Sequence, residues 1–202
     1  MYDIIPTTSV GTLHTPKPLS VIKSTEIEKS REKEISKHLS YVLRHRPDSI
    51  GIHLDSHGWA NVSLLLDKMK ISQAELEYVV FNNSKNRFSI SDDKQSIRAN
   101  QGHSVKIELG LSSKIPPNKL YHGTTMNSYE KIKKEGLLKM NRNHVHLSSE
   151  IETAKQVGSR HGKPIILVIN CEMMIAENIK FYKSENGVWL TDFVNPKYIT
   201  EL

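Results

Sequence analysis

Residues 39–47 read LSYVLRHRP, and this stretch fixes where the first long helix of the chain ends. The apolar residues of this region recur at the spacing of one helix face: Ile35, Leu39, Val42 and Leu43. Pro47 ends the helix, because proline lacks the backbone N–H that another turn requires. The helix therefore closes on Arg44, His45 and Arg46. Such a cluster is either ordinary surface charge or a device for holding phosphate.

The bulk composition describes a globular chain with a net positive charge. Its 202 residues can bury a core, 37% of them are hydrophobic, and the net charge of +6 makes a polyanionic partner plausible. Cys171 is the only cysteine, which excludes an internal disulfide and favours a reducing compartment. We expect no membrane contact and an intracellular location, cytoplasmic or, in a eukaryote, nuclear, because no run spans a membrane and the N-terminus lacks a signal-peptide core.

Residues 30–110 have the element order of a winged helix. A short alternating run follows the first helix, and then SLLLDKMK predicts a short helix that Ser63 can cap. Ser72 and Glu75 have the spacing of a capping box, which predicts a third helix in SQAELEYVV. RFSISDDKQSIRA consists of two alternating runs around a polar turn and predicts a hairpin. Helix, strand, helix, helix and hairpin is the order of a fold often used to hold nucleic acid.

Residues 111–202 predict a mixed, strand-rich half. LYHGTT is predicted as a strand running into a loop, and SYEKIKKEGLL as a helix that stops at Gly136. HVHLSS predicts a strand, after which Ser149 and Glu152 again have the capping-box spacing that starts a helix. KPIILVINCE predicts a buried strand, and IKFYKSENGVWLTD a hairpin that turns at Asn186.

The chain thus divides into three parts of an α+β protein. Residues 1–29 are predicted to be an extended, disordered leader because of their Pro, Thr and Ser content. Residues 30–110 form the first lobe and residues 111–202 the second. GLSSKIPPNK, at 110–119, is predicted to be the linker between them, since its two prolines suit an extended crossing.

Histidine and arginine residues supply the candidate chemistry, since the sequence contains neither a G-x-x-x-x-G-K-[ST] loop nor a G-x-G-x-x-G loop. His144 and His146 share one face of a strand, but no second ligand pair accompanies them, so no metal is expected. The glycine of YHGTT allows a ligand to approach the backbone, although a helix-capping turn explains the same residues. Arg87 and Arg142 would each be a solvated arginine alone, and a phosphate clamp if they converge.

Several blocks follow one another along residues 33–200: LSYVLRHRPDSIGIHLDSHGWANV, NRFSISDDKQSIRANQGHS, YHGTT with IKKEGLL, NRNHVHLS, GSRHGKPIILVI and GVWLTDFV. In this order they resemble the NAD-dependent RNA 2′-phosphotransferase family. Agreement of several blocks in sequence is far more specific than agreement of any one motif.

The resemblance implies a winged-helix lobe followed by a lobe of ADP-ribosyltransferase type, with the active site in the cleft between them. It also implies an enzyme that removes an internal 2′-phosphate from RNA of the tRNA splice-junction type and consumes NAD as a co-substrate. In the family the 2′-phosphate displaces nicotinamide from NAD, giving an ADP-ribosylated phosphate, which the adjacent ribose hydroxyl then attacks. The products are RNA with a 2′-OH, nicotinamide and ADP-ribose 1″,2″-cyclic phosphate.

The family's catalytic Arg-His-Arg-Arg set falls by motif position on Arg44, His45, Arg87 and Arg142. The arginines are implied to clamp the 2′-phosphate, and His45 to donate to it and to accept the proton of the ribose hydroxyl. The resemblance implies cofactor contacts at YHGT and at two later blocks, namely at His122, Gly123, Thr124, Ser148 and Arg160. It implies a role toward RNA or phosphate for Arg98, Gln101 and His103.

Two other functions fit the same residues. An ADP-ribosyltransferase that modifies terminal phosphates of nucleic acid, or a protein, would share the NAD site. A non-catalytic winged-helix module would bind nucleic acid with the first lobe alone, but the presence of all four catalytic positions disfavours it. We expect a monomer, with Trp59 and Trp189 in the core and Arg46 at the surface.

Overall fold

The computed structural model describes residues 19–202, with side chains from residue 29 onward except that of His161. Most of the leader predicted for residues 1–29 therefore lies outside the described residues. Its last part is not extended as predicted, because residues 19–29 belong to the first helix, Leu19–Arg44. This segment contains several Glu and Lys residues, whose helix propensity is high.

The described residues form an α+β structure, as predicted. The α-helices are α1 Leu19–Arg44, α2 Val62–Met69, α3 Gln73–Phe81, α4 Met126–Glu135, α5 Ile151–Gly158 and α6 Cys171–Ala176. The strands are β1 Ala60–Asn61, β2 Phe88–Ile90, β3 Ser96–Ala99, β4 Lys119–Thr125, β5 Leu137–Leu138, β6 Val145–Leu147, β7 Pro164–Asn170, β8 Tyr182–Lys183, β9 Trp189–Thr191, β10 Phe193–Val194 and β11 Ile199–Glu201. Among the helices of residues 19–202, none is long and apolar enough to cross a membrane.

The first half has the predicted order of elements. Helices α1, α2 and α3 pack with an antiparallel sheet of order β1-β3-β2, in which β2 and β3 form the predicted hairpin. Apolar side chains from these elements form one core, including Ile35, Leu39, Leu43, Leu65, Leu76 and Ile97. Burial of this apolar face holds α1 in place, so the end of α1 is fixed relative to the hairpin.

The second half has its own core around two small sheets. One sheet has the order β11-β7-β4 and the other the order β6-β9-β8. Tyr121 and Ser148 exchange backbone hydrogen bonds of 2.8 and 2.9 Å, which join the two sheets at β4 and β6. The core side chains come from both, including Leu120, Leu147, Leu167, Ile169, Phe181 and Trp189. Trp189 is buried as predicted.

Two of the predicted helix starts are wrong and one is confirmed. Asn61, not Ser63, caps α2, because its side chain accepts a hydrogen bond from the backbone of Leu64. Helix α5 begins after Glu150 without a side-chain cap, so Ser149 does not start a capping box. The capping box of Ser72 at the start of α3 is present. The predicted stop of α4 is also confirmed.

The segment predicted as a linker lies against the second half. Ser113 bridges to Tyr182, and the backbone N–H of Lys114 donates to the Phe181 carbonyl at 2.8 Å. The two halves also touch through the tip of the hairpin formed by β8 and β9, where Glu185 accepts a 2.7 Å hydrogen bond from Ser89 and pairs with Arg98. The hairpin tip therefore helps to hold the two halves together.

Candidate active site

Arg44, the last residue of α1, is partly buried and lies near Arg87 of the first half and Arg142 of the second. Its side chain packs over Gly102, where an added Cβ would lie 3.6 Å from the guanidinium Nη1. Its Nε and Nη2 atoms are buried and have no hydrogen-bond partner. Burial, followed by the charges of Arg87 and Arg142, lowers the pKa of Arg44 to about 10. A buried guanidinium with free donors is ready to accept an anion.

His45 is positioned beside Arg44 by one serine. The Nδ1 atom of His45 lies 2.9 Å from Ser104 Oγ, while the Ser104 backbone N–H donates to the Arg44 carbonyl at 2.9 Å. Ser104 Oγ also lies 3.4 Å from that carbonyl. If the hydroxyl donates to the carbonyl, its lone pair accepts Nδ1–H and Nε2 is left free to take a proton.

Arg87 of the first half and Arg142 of the second half both lie near Arg44. Arg87 precedes β2, and its Nη1 donates to Asn83 Oδ1 at 3.2 Å. Arg142 lies in the turn before β6. Burial and then the charge of Arg160 lower the pKa of both arginines, so Arg160 lies near both.

The cations of the site are not neutralised by acids. Within the described part of the chain, none of Arg44, Arg87 and Arg142 forms an ion pair. Partial burial, then Arg44 and Arg142, lowers the pKa of His45, so its imidazole is neutral at neutral pH. The structure thus brings the four predicted catalytic residues into one cationic cluster with a neutral imidazole. This arrangement suits binding of a phosphate and transfer of a proton.

The predicted cofactor residues His122 and Thr124 line a neighbouring cleft of about 490 Å³ between β4, α4 and β6. His122 Nδ1 lies 3.1 Å from the His146 carbonyl, which can only accept, so Nδ1 donates and Nε2 is an acceptor. Burial lowers the pKa of His122, which keeps it neutral. Arg142 lines this cleft as well, so it adjoins the cationic cluster.

Gly123 lies between these two residues but is required by packing. Strand β4 continues through Thr125, and a Cβ on Gly123 would overlap the backbone carbonyl of Ala154 in α5. Packing against α5 is therefore enough to explain the glycine at this position, without the predicted approach of a ligand. The hydroxyl of Ser148 is engaged with the backbone of Glu150 at 3.0 Å, at the turn that leads into α5.

The three residues predicted to contact RNA or phosphate lie in different surroundings. His103 is buried, and burial, followed by Arg44, His45 and Arg98, lowers its pKa to about 3. Its Nε2 has no partner. The guanidinium carbon of Arg98 lies 4.5 Å from the ring centre of Trp59, and the side chain pairs with Glu185. These two contacts give Arg98 a structural role that does not require RNA. Gln101 is partly exposed in the same loop.

Three further residues of the site were not predicted from the sequence: Asn83, Ser104 and His146. The Nε2 atom of His146 is buried without a partner, and burial, then Arg142, lowers its pKa to about 3. The same-face spacing of the histidines in HVHLS was visible in the sequence, whereas the contacts of Asn83 and Ser104 depend on the fold. Arg46 is at the surface as predicted, paired with Asp48 at 3.1 Å.

Cations around a neutral imidazole, beside a second cleft, define a site for phosphate chemistry on a nucleotide or nucleic acid. Comparison with known proteins gives the family. The sequence profile described as "RNA 2'-phosphotransferase, Tpt1 / KptA family" matches residues 30–193.

Three relatives, each named "Probable RNA 2'-phosphotransferase", align with most of the chain. The Burkholderia pseudomallei protein is 53% identical over 169 residues, covering 81% of this chain and 92% of its own. The Flavobacterium johnsoniae protein is 52% identical over 172 residues, covering 83% and 94%. The Fusobacterium nucleatum protein is 50% identical over 172 residues, covering 82% and 96%. The chain belongs to the RNA 2′-phosphotransferase family, a family of transferase enzymes.

Proposed function

We propose that this enzyme removes an internal 2′-phosphate from RNA and consumes NAD in doing so. The observation that carries the proposal is that Arg87 and Arg142 lie near Arg44, and that Arg44 and Arg142 lie near the neutral imidazole of His45. Within the described residues, none of these arginines forms an ion pair with a carboxylate. A phosphate dianion is the ligand that such a cluster lacks. The observed order of elements supports a winged-helix lobe for RNA over residues 30–110 and an ADP-ribosyltransferase-like lobe over residues 111–202.

The cleft beside the cluster fits NAD. Its volume of about 490 Å³ lies in the ordinary range for pockets that take small ligands. His122 and Thr124 offer polar atoms for the adenosine half, and Lys131, Lys139 and Arg142 can face the diphosphate. When bound, NAD supplies the ribose carbon that loses nicotinamide and the neighbouring hydroxyl used in the second step.

In the first step the arginines position the RNA 2′-phosphate. Guanidinium groups hold the non-attacking oxygens by paired hydrogen bonds and leave one oxygen free to attack the ribose carbon. The bond from that carbon to nicotinamide breaks with its electron pair, so nicotinamide leaves uncharged. Partial burial strengthens these interactions, since fewer waters compete for the phosphate.

In the second step His45 moves a proton. Its Nε2 accepts the proton of the ribose hydroxyl while the hydroxyl oxygen bonds to phosphorus. The bond between phosphorus and the RNA 2′-oxygen breaks, and that oxygen takes a proton to become a hydroxyl. The arginines stabilise the charge that develops on the phosphate oxygens, and the products are 2′-OH RNA and ADP-ribose 1″,2″-cyclic phosphate.

The test is a reaction of the purified enzyme with a short RNA that carries one internal 2′-phosphate. With NAD we expect 2′-OH RNA, nicotinamide and the cyclic phosphate by mass spectrometry, and without NAD no loss of phosphate. Stable ADP-ribosylated RNA as the only product would instead identify an ADP-ribosyltransferase of nucleic acid. Binding of RNA without any reaction would identify a non-catalytic module.

His45→Ala separates the two steps. Because the arginines remain, the first step continues and ADP-ribosylated RNA accumulates, with turnover lowered about 100-fold or more. Arg46→Ala is the matched control, since Arg46 is the exposed neighbour of His45 and pairs with Asp48. Unchanged turnover in His45→Ala would contradict the role of His45.

A further inference from the structure

A groove of about 440 Å³ runs between α1 and the loop that follows α3. On the α1 side it is lined by Lys29, Lys33 and Lys37, which are spaced four residues apart and therefore share one face of the helix. The loop of residues 82–84 forms the other side, and Arg87 lies at the groove as well as in the catalytic cluster. We call this feature the lysine groove.

The charge of the lysine groove is available to a ligand. Within the described residues, neither Lys33 nor Lys37 forms an ion pair, and Glu32 is the one acid among the lining residues. Lys85 follows the loop, and burial, then Arg160 and Arg87, lowers its pKa. Positive charge therefore continues from the groove through Lys85 to Arg87 and Arg160.

One buried side chain connects the lysine groove to the catalytic cluster. Asn83 is only 6% exposed, and its Nδ2 donates to Ser36 Oγ of α1 at 3.2 Å. Its Oδ1 accepts from Arg87 Nη1 at 3.2 Å. The floor of the groove and the phosphate clamp are thus held by the same amide, so a chain bound in the groove has a fixed register with the clamp.

The lining residues select the kind of contact that a ligand can make. Apart from the Glu32 carboxylate and the Arg87 guanidinium, they are ammonium groups, hydroxyls and amides, and none of the lining residues is aromatic. Such groups donate to phosphate and sugar oxygens, whereas base recognition in single strands relies on aromatic stacking. The groove therefore suits the backbone of a nucleic-acid strand without regard to its sequence.

We propose that the lysine groove binds the sugar–phosphate backbone of the RNA strand that leads away from the 2′-phosphate, with Lys33 and Lys37 each contacting a phosphate. This proposal rests on the proposed function, because it takes the RNA from the catalytic cluster onto α1. The groove gives affinity for longer RNA and leaves the chemistry at Arg87 unchanged.

The test compares a 2′-phosphorylated dinucleotide with a 12-nucleotide RNA carrying the same phosphate at its centre. In the variant Lys33→Gln/Lys37→Gln, we expect the KM of the longer RNA to rise about 20-fold at 0.1 M salt. Two lost contacts also lower the salt slope of its log KM by about 1.4, since each single-strand contact contributes about 0.7. The KM of the dinucleotide and both kcat values stay unchanged.

Lys68→Gln/Lys134→Gln is the control, because it removes the same charge from exposed positions on α2 and α4. Fluorescence anisotropy with the same RNA lacking the 2′-phosphate measures the groove without any reaction. An unchanged affinity and salt slope in the groove variant, or a wild-type KM independent of RNA length, overturns the groove. Failure of the wild type to process either RNA, with the anisotropy difference intact, overturns the catalytic proposal alone.

Discussion

The hydrogen bond between His45 Nδ1 and Ser104 Oγ gives the imidazole its orientation. Ser104 lies 59 residues beyond His45, and its backbone is tied to the Arg44 carbonyl, so the serine is itself fixed by the end of α1. A fixed partner on Nδ1 leaves Nε2 as the atom that faces a reacting hydroxyl. Ser104 is therefore a positioning residue, since it acts through His45 and not on the substrate.

Removal of the Ser104 hydroxyl tests this role. Ser104→Ala should lower kcat about 10-fold or more while KM for RNA and NAD stays the same, because the imidazole keeps its charge state but loses its orientation. Ser104→Thr, which keeps the hydroxyl, should restore most of kcat. A change in KM alone, or no rescue by threonine, would show that Ser104 has only a structural role.

The charge state of His45 is the second property set by its surroundings. Its pKa is lowered, first by partial burial and then by Arg44 and Arg142. A lowered histidine pKa means that the base form is present at neutral pH and is lost only when the pH falls below the ordinary value of about 6.5. Titration of the His45 ring followed by NMR should give a midpoint below that value.

Removal of one neighbouring cation should move this midpoint upward. Arg142→Gln takes away one of the charges that lower the pKa, so the His45 midpoint shifts toward 6.5 while burial still holds it down. Arg46→Gln is the control, because Arg46 is neutralised by Asp48 and is not among the causes of the shift. An equal shift in both variants would contradict the assigned cause.

At the scale of elements, the contact of α5 with β4 fixes the second half of the site. Gly123 and Gly158 bring the two backbones together, since a Cβ at Gly158 would lie 3.1 Å from the Gly123 carbonyl carbon. Helix α5 is followed by a short 3-10 helix, Ser159–His161, which contains Arg160. The close packing therefore fixes the helix that leads to Arg160, whose charge acts on Arg87 and Arg142.

Substitution of the two glycines should have graded effects on stability. Gly123→Ala should lower the free energy of unfolding by about 3 kcal/mol, because the new methyl overlaps the Ala154 carbonyl. Gly158→Ala should cost less, since its neighbours need to move by only a few tenths of an ångström. Chemical denaturation measures both. If Gly123→Ala keeps full stability and only raises the KM for NAD, the glycine serves ligand approach instead.

The sequence predicted the elements that local signals define. Periodicity, the Ser72 capping box and the stop at Gly136 describe α1, α3 and α4. Motif positions gave the three arginines that the structure brings near one another, Arg44, Arg87 and Arg142. The two-residue strands β5 and β10 were not predicted, because each is a strand only through its pairing with the other. Ser104, the partner of His45, was not predicted for the same reason. The two residues are 59 positions apart, and only the folded chain brings them together.

At the scale of the whole molecule, the tip of the β8–β9 hairpin ties the two halves together. Glu185 joins Ser89 and Arg98 of the first half, and Asn186 Nδ2 donates to the Lys85 carbonyl at 3.2 Å. The Arg98 side chain is 13% exposed, and Glu185 is the acid that pairs with it. The contact therefore joins the hairpin β2–β3 of the first half to the second half.

Glu185→Gln should therefore weaken the contact between the two halves. We expect the free energy of unfolding to fall by about 1 kcal/mol, since an exposed partner is exchanged for a neutral one that still accepts a hydrogen bond. The KM for RNA should rise more than kcat falls, because binding requires both halves. Calorimetry and steady-state kinetics measure these effects, with Glu172→Gln on α6 as the control. Equal effects of the two variants would contradict a role for the hairpin tip.

In residues 29–202, no carboxylate pairs with Arg44, Arg87 or Arg142, and this has a consequence for how the chain can vary. An acid placed among them would relieve the repulsion and strengthen the folded state, but it would occupy the place that we propose for the phosphate. Selection for stability and selection for turnover therefore oppose each other at these positions. Stabilising variants of this enzyme are to be sought in the two hydrophobic cores, where greater stability costs the reaction nothing.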